Sequence, residues 1–232
     1  MRIAMWSGPR NLSTAMMYSF ASRGDCAVWD EPFYAAYLAI TGLQHPLTAE
    51  ILEAHENDPA EVAAMCAGPI PDGQPHFYLK LMTHHMLDDI PLDWAADYTH
   101  VHLIRHPARV ISSYSAKREN PTLEDLGYPQ QVALYRQLGG VVVDSDDIRA
   151  DPAGTLGRLC TAIGLPFTDQ MLHWPAGPRA EDGVWAQHWY NAVHQSTGFA
   201  VADGPLPEVD PEQADLLAAA EPLFQELWQK RL

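Results

Sequence analysis

The stretch Arg2-Ile3-Ala4-Met5-Trp6-Ser7-Gly8-Pro9-Arg10-Asn11-Leu12-Ser13-Thr14-Ala15-Met16-Met17 decides how the rest of the chain is read. Its short apolar run predicts a buried strand, Gly8-Pro9 predicts a break, and the apolar spacing from Leu12 to Phe20 predicts a helix. Strand, tight loop and helix in that order can hold an anion. N–H groups of a first helical turn have no partner inside the helix and lie at the positive end of its dipole. Ser13 and Thr14 add hydroxyl donors and Arg10 adds a fixed charge. The plainer reading of the same residues is a strand-to-helix turn capped by Ser13.

The nucleoside-triphosphate version of such a loop is G-x-x-x-x-G-K-[ST], whose lysine reaches the outer phosphates and whose hydroxyl holds magnesium. Counted from Gly8, its second glycine and lysine are replaced by Ser13 and Thr14. The loop therefore suits a phosphate but not the outer phosphate and metal of ATP. Arg10, early in the loop, is placed where charge develops on a group leaving that phosphate.

Pro9-Arg10-Asn11-Leu12-Ser13-Thr14 resembles the 5′-phosphosulfate loop of sulfotransferases that use 3′-phosphoadenosine 5′-phosphosulfate, commonly Pro-Lys/Arg-Ser-Gly-Thr/Ser-Thr. Asn11 and Leu12 depart from the small residues usual there, and the Leu12 side chain has to turn away from a nucleotide.

A second stretch, His100-Val101-His102-Leu103-Ile104-Arg105-His106-Pro107-Ala108-Arg109-Val110-Ile111-Ser112-Ser113-Tyr114, predicts a buried strand ending at Arg105. A helix then starts at Pro107, with Arg109 and Ser113 one turn apart on one face. A planar guanidinium binds two oxygens of an anion at once. This segment resembles the sulfotransferase 3′-phosphate motif, Arg-[Asp/Asn/His]-Pro-x-[Asp/Arg]-x-x-x-Ser-[Tyr/Phe]. The resemblance gives Arg105 and Ser113, eight positions apart, to the 3′-phosphate. The Arg-His-Pro triplet differs from the Arg-His-Gly of histidine phosphatases, which sits on a first strand.

Composition agrees with a small anionic ligand rather than a large anionic surface. With 14 Lys and Arg against 30 Asp and Glu in 232 residues, the net charge of −16 argues against nucleic acid or an acidic membrane as partner. Arg10, Lys80, Arg105, Arg109, Lys117 and Arg118 are the cations that fall beside motifs. Cys26, Cys66 and Cys160 are scattered without a C-x-x-C pair, so reduced thiols and no zinc site are expected. No apolar run approaches the roughly 18 residues of a membrane span, and the first strand is too short for a signal peptide. A cytoplasmic enzyme of one domain, 1–232, is the resulting expectation.

Cys26-Ala27-Val28-Trp29 reads as a second strand ending in Asp30-Glu31-Pro32. Ligands of open α/β sheets gather at the carboxyl ends of strands, so Glu31 is a candidate general base for an acceptor hydroxyl or amine. The alternative is a capping Asp30 and a solvated Glu31. Residues 34–75 read as acceptor-side structure: a helix from Tyr34, a mixed acidic stretch from Gln44 to Asp58, a helix from Pro59, and a Gly/Pro loop. His76-Phe77-Tyr78-Leu79-Lys80-Leu81 reads as a third strand, followed by His84-His85. The resemblance implies Lys80 near the bridging oxygen of the donor and a histidine base. His84 lies four residues beyond Lys80 where the family spacing is two, and His84-His85 reads equally as a helix cap.

Lys117-Arg118-Glu119-Asn120 reads as the end of the helix begun at Pro107. Val141 to Asp144 is a fifth strand. The run from there through Asp146-Asp147-Ile148-Arg149, Asp151-Pro152 and Leu165-Pro166-Phe167 is similar to a structural signature of the family without catalytic roles. Residues 168–232 begin with a Gly/Pro-rich loop, Trp174 to Trp185, where the resemblance implies a lid over the nucleotide, and end in a closing helix over Val209 to Leu232. There Arg179 could support the 3′-phosphate, and Trp185, Trp189 or Tyr190 could stack on adenine or lie in the core.

The expected fold is a three-layer α/β domain of the P-loop type with a mainly parallel sheet of about five strands, the resemblance covering roughly residues 2–167. The implied reaction moves a sulfuryl group from 3′-phosphoadenosine 5′-phosphosulfate to a small-molecule hydroxyl or amine, without a metal. Its rivals are a small-molecule kinase with a degenerate phosphate loop and a non-catalytic nucleotide-binding module. Neither the acceptor nor the oligomeric state is readable from the residues.

Overall fold

The computed structural model describes residues 1–115 and 121–232, so the expected helix end at 117–120 lies outside the described residues. The first half runs β1 (Arg2–Ser7), α1 (Ser13–Ala21), β2 (Cys26–Asp30), α2 (Tyr34–Thr41), α3 (Thr48–Ala54), α4 (Pro59–Ala67), β3 (His76–Met82), β4 (Thr99–Ile104) and α5 (Pro107–Ser115). The second half runs α6 (Leu123–Leu126), α7 (Tyr128–Leu138), β5 (Val141–Asp144), α8 (Ser145–Ala150), α9 (Pro152–Ile163), α10 (Ala186–Trp189), α11 (Asn191–His194) and α12 (Ala214–Trp228).

The five strands are parallel in the order β2-β3-β1-β4-β5. β1 is central because it is apolar on both faces: Ile3, Ala4, Met5 and Trp6 are all fully buried. Alternate residues enter opposite layers. Ile3 and Met5 pack with Met16 and Phe20 of α1 and Leu156 and Leu159 of α9. Ala4 and Trp6 pack with Val62 and Cys66 of α4, with Trp94, and with Leu134 of α7. Three layers follow from that alternation, as expected.

The chain builds β2 and β3 on one side of β1, then β4 and β5 on the other, so the direction of winding reverses at β1. Beyond the carboxyl ends of β1, β3 and β4 this reversal opens a crevice, the usual ligand position in open α/β sheets. β2 does not neighbour β1, since β3 intervenes. In register, Asp30 lies beside Lys80 on β3.

Three boundaries differ from the sequence reading. The acidic stretch 44–58 contains α3, whose Ile51 is fully buried. β4 ends at Ile104, leaving Arg105 just outside the sheet. Asp210 caps a short 3-10 turn over Pro211–Gln213, accepting from Glu212 N–H at 3.0 Å, and α12 starts only at Ala214. All three cysteines are buried and unpaired. Among the described residues no helix is long and apolar enough to cross a membrane.

Candidate active site

The loop after β1 is held in a conformation that side chains disfavour. Arg10 has φ 61° and Leu12 has φ 71°, both left-handed, and Glu31 beyond β2 has φ 42°. Such positions cost on the order of 1–3 kcal/mol each and persist where the surroundings impose them. Leu12 immediately precedes α1, and no side chain caps this helix, so Ser13 does not play the capping role. The uncapped N–H groups of a nine-residue helix therefore face the crevice with a positive dipole end. Leu12 packs in part against the α1 side of the core and also borders the crevice.

Neighbouring elements lock the loop. Asn11 is 1 % exposed and its Nδ2 donates to Leu103 O of β4 at 3.2 Å. A Cβ at Gly8 would collide with the carbonyl oxygen of Leu126, and one at Gly127, where φ is 77°, with the Thr83 hydroxyl. Only glycines let the loop lie this close to the α6–α7 junction.

The loop after β1 and the segment after β4 meet. Arg10 Nε donates to Ser113 Oγ on α5 at 3.1 Å, and Arg105 Nη1 donates to the Arg10 carbonyl at 2.8 Å. Tyr128 on α7 donates its hydroxyl to the Arg105 carbonyl at 2.7 Å, fixing the residue after β4. Burial, and secondarily the charge of Arg105, draws the pKa of Arg10 below its ordinary value. Two guanidiniums forced together in this way favour an anion between them.

Arg105 is already engaged by a carboxylate from the C-terminal segment: its Nη2 donates to Asp203 Oδ2 at 2.7 Å. Arg149 of α8 pairs with the other oxygen of Asp203, and Arg109 of α5 lies 4.0 Å away while donating to Asp146 Oδ2 at 2.9 Å. Neither Asp203 nor Arg149 carries a signal in the sequence. Asp203 sits in a segment without periodicity, and Arg149 lies in a run that resembles a purely structural signature.

Arg179 corrects the expectation placed on it. Its guanidinium lies 4.7 Å from the Tyr18 ring centre and donates to the Tyr18 carbonyl at 3.4 Å, and it is not among the residues lining the crevice. The third arginine beside Arg105 is Arg149 instead.

The opposite wall of the crevice comes from β2 and β3. Lys80 is 1 % exposed, and its Nζ donates to Asp30 Oδ1 at 2.9 Å, to the Tyr190 hydroxyl at 2.6 Å and to Glu31. Tyr190 donates in turn to Asp30 Oδ2 at 2.8 Å, and Gly183 N–H reaches the same oxygen at 3.2 Å. The register of β2 against β3 explains the Asp30–Lys80 pair, because paired positions of adjacent strands lie about 4.8 Å apart. Lys80 does not stand open toward a bridging oxygen as the resemblance implied, since two carboxylates and a phenol hold its ammonium.

Burial raises the Glu31 carboxyl above the usual range; Lys80 opposes this and Asp30 adds to it. Two carboxylates share one ammonium, which leaves Glu31 able to accept a proton more readily than an exposed glutamate. Burial pulls Lys80 down, but Asp30 and Glu31 outweigh it and keep the ammonium charged.

The histidines separate. His85 is 2 % exposed, stacked on Tyr34 at 4.6 Å and on Tyr37 at 4.8 Å, and burial pushes its pKa well down, so it serves the wall rather than the base. His84 is half-buried and borders the crevice. Among the aromatics of the lid, Trp185 is core at 1 % exposure, Tyr190 belongs to the lysine cluster, and Trp189 lines the crevice. Among the described residues, no His, Cys, Asp or Glu side chains group as metal ligands.

One cavity of about 330 Å³ joins these walls, from Pro9–Thr14 through Arg105 to Glu31, Lys80 and His84. It can hold an anionic group against the loop while presenting a carboxylate across the gap.

A family model described as Sulfotransferase domain matches residues 1–231. Two Arabidopsis thaliana proteins, branched-chain-amino-acid aminotransferase-like protein 1 and protein 2, are 38 % and 36 % identical over 229 residues. The alignment covers 96 % of this chain but 40 % of each relative, so the chain spans two fifths of their length. The sulfotransferase domain of the Synechococcus PCC 7002 olefin synthase superposes with a TM-score of 0.51 at 16 % identity over 94 % of both chains. The sulfotransferase domain from the curacin biosynthetic pathway gives 0.55 at 16 % identity, over 99 % of this chain and 91 % of that one. At such identity the two structures speak to the fold, and they share its α/β architecture. A match along nearly the whole chain carries the family assignment: this chain belongs to the sulfotransferase domain family.

Proposed function

We propose that the chain transfers a sulfuryl group from 3′-phosphoadenosine 5′-phosphosulfate to a hydroxyl or amine of a small-molecule acceptor. The observation that carries this reading is the meeting of Arg10, Ser113 and Arg105 at one end of a cavity whose other wall carries Glu31. The donor fits this chemistry because the loop offers uncapped helix N–H groups for its 5′-phosphate, and the Arg105 end already holds an anion, the Asp203 carboxylate. Arg105 Nε, buried and without a hydrogen-bond partner among the described residues, is a further donor for that end.

The donor supplies the sulfuryl group and leaves as adenosine 3′,5′-bisphosphate. Arg10 and the N–H groups at Ser13 and Thr14 hold the 5′-phosphate and take up the charge that grows on it as the sulfur–oxygen bond breaks. Glu31 takes the acceptor proton as the new bond to sulfur forms. Lys80 and Tyr190 hold Glu31 in place, and His84 borders the acceptor space. As in phosphoryl transfer, alignment and charge neutralisation carry most of the rate.

Thermal-shift measurements with adenosine 3′,5′-bisphosphate, against ATP with magnesium, test the reading, because a ligand that binds the folded state alone raises the midpoint. The bisphosphate is expected to stabilise the chain and ATP–magnesium to have little effect. The reverse pattern returns the kinase reading.

A further inference from the structure

Three arginines from three different elements converge on one carboxylate in a chain whose net charge is −16. Arg105 follows β4, Arg109 is on α5 and Arg149 on α8, while Asp203 comes from a segment with no helix or strand. Among the described residues, the hydrogen bonds to 200–208 all come from these arginines. Arg149 Nε reaches Val201 O at 3.1 Å, Arg109 Nη2 reaches Gly204 O at 2.6 Å and Nη1 reaches Pro205 O at 3.4 Å, beside the Arg105–Asp203 pair. The apolar side chains of the segment are turned out: Val201 is 84 % exposed and Leu206 is 48 % exposed. Guanidiniums, not packing, hold it down.

The charges do not balance. Asp146 offsets Arg109, so Arg105 and Arg149 present two positive charges to the single negative charge of Asp203. A phosphomonoester dianion would meet both, and planar guanidiniums bind phosphate oxygens in pairs. Burial works against ionisation of Asp203, yet Arg105, then Arg149 and Arg109, hold its carboxyl below the usual range, so it remains an anion where an anionic ligand is wanted.

We propose that Arg105, Arg109 and Arg149 form a cradle for a phosphomonoester dianion, filled from within the chain by Asp203, so that the 3′-phosphate of the donor enters by exchange with this carboxylate. The proposal rests on the donor reading given above and adds two things to it. Arg149 becomes a ligand-binding residue, and residues 200–205 become a strap whose release accompanies donor binding. Asp203 thereby selects for a ligand with a 3′-phosphate, because an adenylate lacking it has nothing to put in the carboxylate's place.

The test is calorimetric titration of the full chain with adenosine 3′,5′-bisphosphate and, separately, adenosine 5′-monophosphate, comparing wild type, Asp203→Asn and Asp203→Asn with Arg149→Gln. Exchange predicts that Asp203→Asn binds the bisphosphate about tenfold tighter than wild type, with the monophosphate unchanged. Adding Arg149→Gln reverses the gain for the bisphosphate alone. If the Asp203→Asn substitution destabilises the fold, as circular dichroism would reveal, Asp203→Ser takes its place. Bisphosphate binding by wild type that stays the same or weakens in Asp203→Asn overturns the exchange while leaving the donor reading intact. A wild type that does not prefer bisphosphate to monophosphate, with variants alike, overturns both.

Discussion

Lys80 and Arg105 are both cations that a family resemblance assigns to the donor, and both meet carboxylates of their own chain, yet they are held in different ways. Lys80 and Asp30 each have side chains 1 % exposed, on adjacent parallel strands, with Tyr190 closing the group. Arg105 and Asp203 are 16 % and 18 % exposed, and the acid sits on a strap without regular structure. A charge removed from water depends on its partner, because leaving it unpaired costs several kcal/mol, whereas a charge near water can trade one anion for another. The comparison teaches that an occupied cation is not by itself lost to function. Lys80 is committed to its buried carboxylates, and on the proposed reading Arg105 is free to exchange its own for a ligand.

The largest expected effect concerns the buried cluster. Glu31→Gln should lower the turnover number by roughly 10²–10⁴-fold with bisphosphate affinity unchanged, since a neutral amide cannot accept the proton. Single-turnover measurement with labelled donor and an identified acceptor checks this, and unchanged turnover removes Glu31 from the role. Next, Lys80→Met should destabilise the fold by about 3–5 kcal/mol in denaturant unfolding, because Asp30 and Glu31 lose their shared counter-charge in the interior. A loss below about 1 kcal/mol would show the pair to be as replaceable as a surface one. Arg105→Gln should leave the fold nearly as stable and weaken bisphosphate binding about 10–100-fold, charge-assisted hydrogen bonds being worth about 1.5–3 kcal/mol each. Arg179→Gln should leave that affinity as it is.

The smallest effect is a pH dependence at the strap. The Asp203 carboxyl titrates below its ordinary range in the folded chain, so its contribution to stability is present above the unfolded aspartate pKa of about 3.9 and fades as pH falls through the lower folded value. The difference in melting temperature between wild type and Asp203→Asn should therefore hold steady from about pH 7 to about pH 5 and close on further acidification. A gap that widens on acidification contradicts the ion-pair account.

What the sequence discloses is set by locality. β1 with its loop and α1, and β4 with α5, are continuous stretches whose period and break residues state the fold, and Arg10, Arg105 and Ser113 come with them. The helix α3 is not legible because its acidic residues hide the buried Ile51. The partners of the site cations are not legible either, because they are distant in sequence: Tyr190 lies 110 residues from Lys80, and Asp203 lies 98 from Arg105. The resemblance points Arg179 at the phosphate, but its guanidinium lies on the Tyr18 ring, outside the residues that line the crevice. His85 has the residue type of a base, and packing between two tyrosines makes it part of the wall.

The most direct measurement is a crystal structure of the chain with adenosine 3′,5′-bisphosphate. The expected result is the 5′-phosphate on the Arg10 loop, the 3′-phosphate on Arg105, Arg149 and Ser113 with Asp203 moved away, and Lys80 still on Asp30 and Glu31. A bisphosphate bound elsewhere, with the Arg105–Asp203 pair intact, would contradict it.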